Sequence, residues 1–193
     1  MTIFRTICAL TLGALLLGGC DTPVPSRSFP DISFTHKTPF NLDVATIEVE
    51  TLPATAPDKG TIVHDLPVSL TSVAEKWAQQ RLKAVGQSGV AVVKIEKAIV
   101  VEQGLKKTGG VRGAFTTDQT ERYVGDLQMS VSITDNRGQA LARAGSSRIR
   151  TIAEDATLAE REKLWFDMVE KLARGTDAEM DKQIPAHLTN YLR

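Results

Sequence analysis

Residues 120–152 read TERYVGDLQMSVSITDNRGQALARAGSSRIRTI and contain the most regular pattern in the chain. From Leu127 to Thr134, apolar and polar residues alternate without exception, which is the period of a strand with one buried face. The polar stretch Asp135–Gly138 predicts a turn, and Gln139–Ile152 predicts the returning arm of an antiparallel hairpin. The apolar face of such a hairpin needs other elements to cover it.

Two segments upstream of the hairpin also have strand patterns. Residues 41–51 (NLDVATIEVET) place Ile47 and Val49 on one face and polar side chains on the other. Residues 89–101 (GVAVVKIEKAIVV) are rich in valine and isoleucine, and we expect one long strand with a bulge near Lys97. The core face of this strand is expected to carry Ala91, Val93, Ile95, Ile99 and Val101.

Two capping boxes, Ser72–Glu75 and Thr157–Glu160, each precede apolar residues at helical spacing. The first helix is expected to continue to Val85. In the second, Gly175 weakens the helix and Pro185 breaks or kinks it.

The element order is strand, helix, three strands and helix. It predicts an α+β domain with a mainly antiparallel sheet of about four strands and two helices on one face, because that arrangement buries one-sided strands. Trp77 and Trp165 lie on the apolar stripes of the two helices, so we expect both in the core rather than around a ligand. Their expected contacts on the sheet are Val93, Ile95, Met129 and Val131.

The amino terminus has the three parts of a secretory signal peptide. Arg5 supplies a positive start, Ile7–Leu17 is apolar, and small residues follow. The apolar run is too short for a membrane-spanning helix, which needs about 20 residues. Residues 1–19 are therefore predicted to be removed from the mature protein.

The end of this signal, Leu17-Gly18-Gly19-Cys20, resembles the lipobox of bacterial lipoproteins. In that family the cysteine thiol receives a diacylglycerol, the peptide is cut before the cysteine, and the new amine is acylated. The resemblance implies that Cys20 is the lipid attachment site, with the folded part in the periplasm; plain secretion is the alternative. By the sorting rule of enterobacterial lipoproteins, Asp21 favours the inner membrane over the outer membrane.

The residues after Cys20 are predicted to form a tether. Residues 20–34 are rich in proline and lack hydrophobic periodicity, which is typical of an extended linker. Residues 35–193 are expected to form a single α+β domain. Because the signal takes away Arg5 and Cys8, the mature chain keeps a nearly balanced charge, forms no disulfide and gives no indication of nucleic-acid binding.

No spacing in the sequence points to catalysis. His36, His64 and His187 lie in different segments and lack the spacing of metal ligands. The glycines between residues 104 and 113 match neither a phosphate-binding loop nor a dinucleotide fingerprint, and no Gly-x-Ser-x-Gly elbow occurs. We therefore expect no enzyme activity, no metal and no cofactor.

One set of basic residues is a candidate contact surface. It comprises Lys106, Lys107 and Arg112 in the loop before the hairpin, and Arg143, Arg148 and Arg150 on the returning arm. If the two groups share a surface, they can engage phosphate-bearing lipid head groups or an acidic partner. The alternative is a solvated strand face and loop, since a charged fraction of 24% is ordinary for a soluble domain.

The layout from about Asp43 to Ala173 resembles small envelope lipoproteins, such as the LPS-assembly lipoprotein of the outer-membrane translocon and the auxiliary lipoproteins of ABC-type lipid transporters. The parts that resemble most are Ala74–Trp77, the hairpin after Glu121–Tyr123 and the late helix, whereas Asp177–Arg193 is longer than in those families. The resemblance implies a membrane-anchored, non-enzymatic accessory or assembly component of an envelope transport complex. The alternative is a periplasmic module that binds an acyl chain or another apolar ligand, which requires an internal cavity on the order of several hundred cubic ångströms.

Overall fold

The computed structural model describes residues 28–51, 60–63, 65–105, 119–153 and 155–193. The elements in that part of the chain are β1 (Phe40–Leu42), β2 (Thr46–Thr51), α1 (Leu70–Arg81), β3 (Leu82–Ala84), β4 (Val90–Gly104), β5 (Gln119–Asp135), β6 (Gly138–Ala153), α2 (Leu158–His187) and a 3₁₀ turn (Thr189–Tyr191). The predicted signal peptide, Cys20, Asp21 and most of the tether lie outside the described residues.

The main sheet has four strands in the order β2-β4-β5-β6. Strand β2 runs parallel to β4, whereas β4, β5 and β6 are antiparallel neighbours. A small second sheet pairs β1 with β3 in parallel. The predicted α+β class with a mainly antiparallel sheet of about four strands is confirmed.

The predicted hairpin is formed by β5 and β6, which pair from Gln119 to the turn at Asp135 and Gly138. The alternation along β5 places Leu127 and Val131 in the core, at 1% and 0% exposure. In the turn, a carboxylate oxygen of Asp135 accepts a hydrogen bond from the backbone N–H of the second residue after it at 2.7 Å. Gly138 has a φ of 125°, which residues with side chains rarely adopt.

Strand β4 is confirmed, including its bulge. The register against β5 shifts between Ile95 and Lys97, which leaves one extra residue between them. A bulge of this kind moves the side chains that follow it to opposite faces. Val100 is therefore fully buried, and the prediction that Ile99 and Val101 lie on the core face is wrong.

The segment predicted as one strand, residues 41–51, forms two strands that belong to different sheets. The chain bends at Asp43, where the backbone N–H donates to the carbonyl oxygen of Tyr191 at 2.7 Å. Val49 is 39% exposed rather than in the core. The alternating pattern did not show this bend, because the bend depends on a partner at the far end of the chain.

Helix α1 has a different N-cap from the one predicted and ends earlier than predicted. Ser69 is its N-cap and accepts a hydrogen bond from the backbone N–H of Ser72 at 3.3 Å, so the helix does not start from a capping box at Ser72. The helix ends at Arg81 because the next three residues pair with β1. Val85 therefore lies outside the helix, and strand pairing overrides the apolar spacing that continues to it.

Helix α2 begins as predicted. The Thr157 side chain accepts a hydrogen bond from the backbone N–H of Glu160, and the Glu160 carboxylate accepts one from the backbone N–H of Thr157. The helix continues through Gly175 and past Pro185, so the predicted weak points do not end it. A Cβ atom at Gly175 would lie 3.0 Å from the Cβ atom of Ser146, so glycine here lets α2 pack closely on β6.

Both helices cover the same face of the main sheet. On α1, Trp77 lines the same small space as Leu127 and Met129 of β5. On α2, the side chain of Leu172 lies over Gly125, which belongs to the same face of β5. The hairpin is thus covered along its length, with α1 over β4 and α2 along β5 and β6.

The two tryptophans are both in the core, at different places. Trp77 is 2% exposed and lies near Met129 as expected, and Trp165 is 8% exposed. Trp165 packs edge-on against Tyr123, with ring centroids 5.7 Å apart. Since Tyr123 precedes Met129 by about 20 Å along the strand, the contacts expected for Trp165 with Met129 and Val131 are wrong.

The segment that the sequence assigns to the end of the tether is part of the folded domain. Ile32 and Phe34 are 1% and 0% exposed, and Phe29 stacks on Phe166 with ring centroids 5.0 Å apart. The backbone N–H of Phe34 donates to the side-chain oxygen of Gln80 at 2.7 Å. The domain therefore begins before residue 35.

Replacing Phe34 by alanine tests this boundary. We expect Phe34→Ala to lower the free energy of unfolding by about 3–5 kcal/mol, because it removes a fully buried ring. Val49→Ala, at an exposed strand position, is the control and should cost less than about 0.5 kcal/mol. Urea denaturation measures both variants, and a loss for Phe34→Ala as small as that of the control would show that the segment is only a linker.

Candidate functional site

A buried carboxylate on α2 joins three segments of the chain. Asp177 is 1% exposed. Its Oδ1 atom accepts hydrogen bonds from Nε1 of Trp77 at 2.9 Å and from Nε of Arg81 at 3.0 Å. Its Oδ2 atom accepts one from Nζ of Lys37 at 2.5 Å. The residues before β1, helix α1 and helix α2 therefore meet at this side chain.

A second carboxylate, one turn further along α2, completes the cluster. Asp181 accepts hydrogen bonds from Nζ of Lys37 at 2.5 Å and from the guanidinium of Arg81. Arg81 is 2% exposed, also donates to the carbonyl oxygen of Thr38, and lies over the ring of Phe40 at 4.8 Å. We call Lys37, Trp77, Arg81, Asp177 and Asp181 the Asp177 network.

The hydrogen bonds of the network keep Asp177 ionised. Burial by itself raises the pKa of this carboxyl group, but hydrogen bonds from Lys37, Trp77 and Arg81 outweigh that effect and hold its pKa below the ordinary value. The two carboxylates face two cations, so the charges of the network balance. This arrangement stabilises the packing of the helices and leaves no reactive group exposed at Asp177.

The sequence contains an indication of this network that the search for catalytic and basic residues does not include. Arg81 occupies a position on the otherwise apolar stripe of α1, one turn after Trp77, and Asp177 and Asp181 are one turn apart on α2. A charged side chain on a core-facing stripe needs a buried partner. The identity of that partner depends on tertiary contacts between residues about a hundred positions apart.

A second buried polar group lies at the far end of the hairpin. The hydroxyl of Tyr123 donates to a carboxylate oxygen of Glu121 at 2.7 Å and accepts a hydrogen bond from Arg161 at 3.2 Å. Burial, together with the negative charge of Glu102, raises the pKa of Tyr123 to about 12. Within the described chain, Nε1 of Trp165 has no acceptor.

The turn of the hairpin is tied to the end of the chain. The Arg137 side chain donates to Asp135 at 2.7 Å and to Asp43 at 3.0 Å, and its guanidinium lies over the Tyr191 ring at 4.3 Å. The Tyr191 hydroxyl donates to Asp135 at 3.0 Å. The turn is therefore held in place and is a poor candidate for a mobile contact.

The candidate basic residues divide into three groups. Lys106, Lys107 and Arg112 lie outside the described residues, so their contacts stay a prediction. Arg143 pairs in register with Ser130 on the face away from the helices, and its Nε atom is 3.5 Å from Glu96. The remaining pair, Arg148 and Arg150, lies on the other face of β6.

Arg148 and Arg150 form an exposed basic pair, which we call the arginine edge. They lie two residues apart, opposite Gly125 and Tyr123 of β5. A guanidinium nitrogen of Arg148 is close to Gly175 of α2 and another donates to a backbone carbonyl of β6 at 2.8 Å. Neither arginine has a carboxylate within ion-pair distance among the described residues, in contrast to Arg143.

Strand β6 is at the edge of the main sheet. Its inner side pairs with β5, and α2 packs over its helix-facing side through the hydrogen bond from Ser146 to the carbonyl oxygen of Leu172 at 2.7 Å. No backbone hydrogen bond joins its outer side to another described element. Ile149 lies between the two arginines along β6, on the opposite face of the strand, and is 59% exposed.

The interior between the helices and the sheet is filled. The space around Trp77 and Met129 leaves no room for a water molecule. An open surface depression of about 460 Å³ lies around Gly145, with Glu96, Arg143 and Glu179 in its lining.

In the described ranges, no three His, Cys, Asp or Glu side chains lie together as metal ligands would. His36 and His187 are both exposed, and His64 lies outside the described residues.

Within those ranges, no helix has both the length and the apolar character needed to cross a lipid bilayer.

Comparisons with solved structures give weak similarities, among them two to lipoproteins. No family model matches the chain, and no curated protein matches it. The crystal structure of rare lipoprotein B from Shewanella oneidensis has 11% identity and a TM-score of 0.41, and the similarity covers 75% of this chain and 97% of that one. A minor lipoprotein from Acinetobacter baumannii has 12% identity and a TM-score of 0.37, with 78% and 96% covered. At these TM-scores the similarities establish neither the fold nor the function of this chain.

The Asp177 network predicts a large effect of a small substitution. We expect Asp177→Asn to lower the free energy of unfolding by about 3 kcal/mol, because it removes the more deeply buried of the two carboxylates that pair with Arg81 and Lys37. Asp167→Asn, which breaks an exposed pair with Lys163 on the same helix, should cost less than about 0.5 kcal/mol. Chemical denaturation at neutral pH measures both, and equal losses would contradict the role given to the network.

Proposed function

We propose that this chain is a membrane-anchored envelope lipoprotein without catalytic activity that binds a protein component of an envelope transport or assembly complex. The observation that carries the proposal is the combination of a filled interior with an unpaired arginine edge on an open strand. Because the interior is filled, we expect a partner protein to bind at the surface of the domain. Arg148 and Arg150 are exposed and have no carboxylate partner among the described residues, so a bound protein can supply one.

The lipid anchor supports a role in weak but specific binding. The lipobox at Leu17–Cys20 implies a diacylglycerol thioether and an acylated amine on Cys20, and more than one acyl chain is needed for stable anchoring. Anchoring confines the domain to a thin layer at the membrane and raises its effective concentration near membrane-embedded partners. A contact of modest area is then sufficient.

The alternative of an apolar-ligand module is less well supported. A site for an acyl chain needs an enclosed volume on the order of several hundred cubic ångströms. The space beside Trp77 does not admit a water molecule. A ligand there would have to separate α1 from α2, which the Asp177 network holds together.

The anchor can be tested by replacing the cysteine of the lipobox. We expect Cys20→Ser to prevent lipidation and processing, which leaves an uncleaved or a soluble periplasmic species without the lipid. Cys8→Ser, inside the apolar run of the signal, is the control and should leave processing unchanged. Mass spectrometry of the mature amino terminus measures the outcome, and an unmodified terminus at another residue in the wild type would end the lipoprotein assignment.

The partner can be tested in cells by site-specific photocrosslinking. A benzoylphenylalanine at position 149 leaves both arginines in place and should form an adduct with one envelope protein. The same probe at Val49, an exposed position on β2 at the opposite edge of the sheet, should not form that adduct. The absence of a protein adduct at 149, together with an apolar ligand in the purified protein, would favour the ligand-binding alternative.

A further inference from the structure

Strand β6 offers an unused row of backbone hydrogen-bonding groups. It has 16 residues, ends the strand order of the main sheet, and makes no backbone hydrogen bond along its outer side to the described chain. An extended peptide can add to such an edge, where main-chain hydrogen bonds give affinity and alternate side chains give specificity. The side chains of β6 determine which kind of strand can pair with this edge.

The charges of β6 are all of one sign. Its sequence, GQALARAGSSRIRTIA, contains three arginines and no acidic residue. Arg143 has Glu96 nearby, whereas Arg148 and Arg150 have no carboxylate partner in the described chain. These two point to the same face and are about 7 Å apart along the strand. A neighbouring strand with two carboxylates at alternate positions would match them.

A further cation lies on α2 close to the arginine edge. Lys171 is exposed and lies one turn before Gly175, the residue against which Arg148 packs. The nearby carboxylate of Glu179 is paired with Lys182 at 2.9 Å and lies toward the depression at Gly145 instead.

We infer, on the basis of the proposed function, that the partner binds as an acidic extended segment, which adds as a further strand along the arginine edge of β6. A second copy of this chain is a poorer occupant. Because β6 contains no Asp or Glu, two copies of β6 paired together supply no carboxylate to either arginine in any register. Registers centred on Ile149 would place Arg148 of one copy opposite Arg150 of the other, and like charges directly opposite destabilise a sheet.

The test uses a synthetic peptide of sequence TEVEVEVT, with Glu on one face and Val on the other, and the processed full-length protein in neutral detergent. We expect binding with amide shifts centred on residues 147–151. Arg148→Glu/Arg150→Glu should weaken it about tenfold or more. Lys83→Glu, which reverses an exposed charge on β3, should leave it unchanged.

Two further peptides separate the possible explanations. The peptide with Lys in place of Glu should bind the double variant and not the wild type, which also shows that the variant is folded. The acidic peptide with alternate N-methylated amides should not bind, because it cannot form the strand ladder. Equal binding of the methylated peptide would overturn strand addition in favour of a purely ionic contact.

Strand addition by an acidic segment can be overturned by an outcome that leaves the proposed function intact. If the acidic peptide does not bind and the double variant self-associates, the arginines act only to protect the edge against aggregation, and the inference is overturned. A protein adduct from position 149 in cells would, in that case, still support the proposed function. If neither the peptide nor an envelope protein engages this edge, both are overturned.

Discussion

The fold depends on the burial of one charged side chain. Asp177 has 1% of its surface exposed, and an ionised carboxylate in such a place is stable only when donors surround it. The donors come from Lys37, Trp77 and Arg81, which are far apart in the chain. The hydrogen bonds that Asp177 accepts therefore fix the positions of both helices and of the segment before β1. In these positions the helices cover the apolar face of the hairpin.

The parts of the fold that depend on local signals were predictable. The hairpin, the bulge of β4 and the start of α2 at Thr157 follow from alternation and from a capping box, which act between near neighbours. The bend at Asp43 and the end of α1 at Arg81 depend on distant strands and on the carboxyl terminus. The Asp177 network was missed for the same reason, although Arg81 on an apolar stripe indicated that a buried partner was needed.

The candidate site shows a similar division. The sequence indicated the arginines of the returning arm as a candidate contact group, but it did not separate Arg143 from the other two. The register of β5 and β6 separates them, because it places Arg143 beside Glu96 on one face of β6 and the arginine edge on the other face. With the interior filled, the open side of β6 is where the described chain combines free backbone groups with uncompensated charge.

The most direct test of this account is residue-resolved amide hydrogen exchange on the processed protein without a partner. Strand β5 lies between two strands, so its amides should exchange slowly throughout. Along β6 we predict an alternating pattern from Ala140 to Arg150, in which the amides that face β5 are slow and those on the outer side are fast. Uniformly slow exchange along β6 would show that its edge is already covered and would contradict the account.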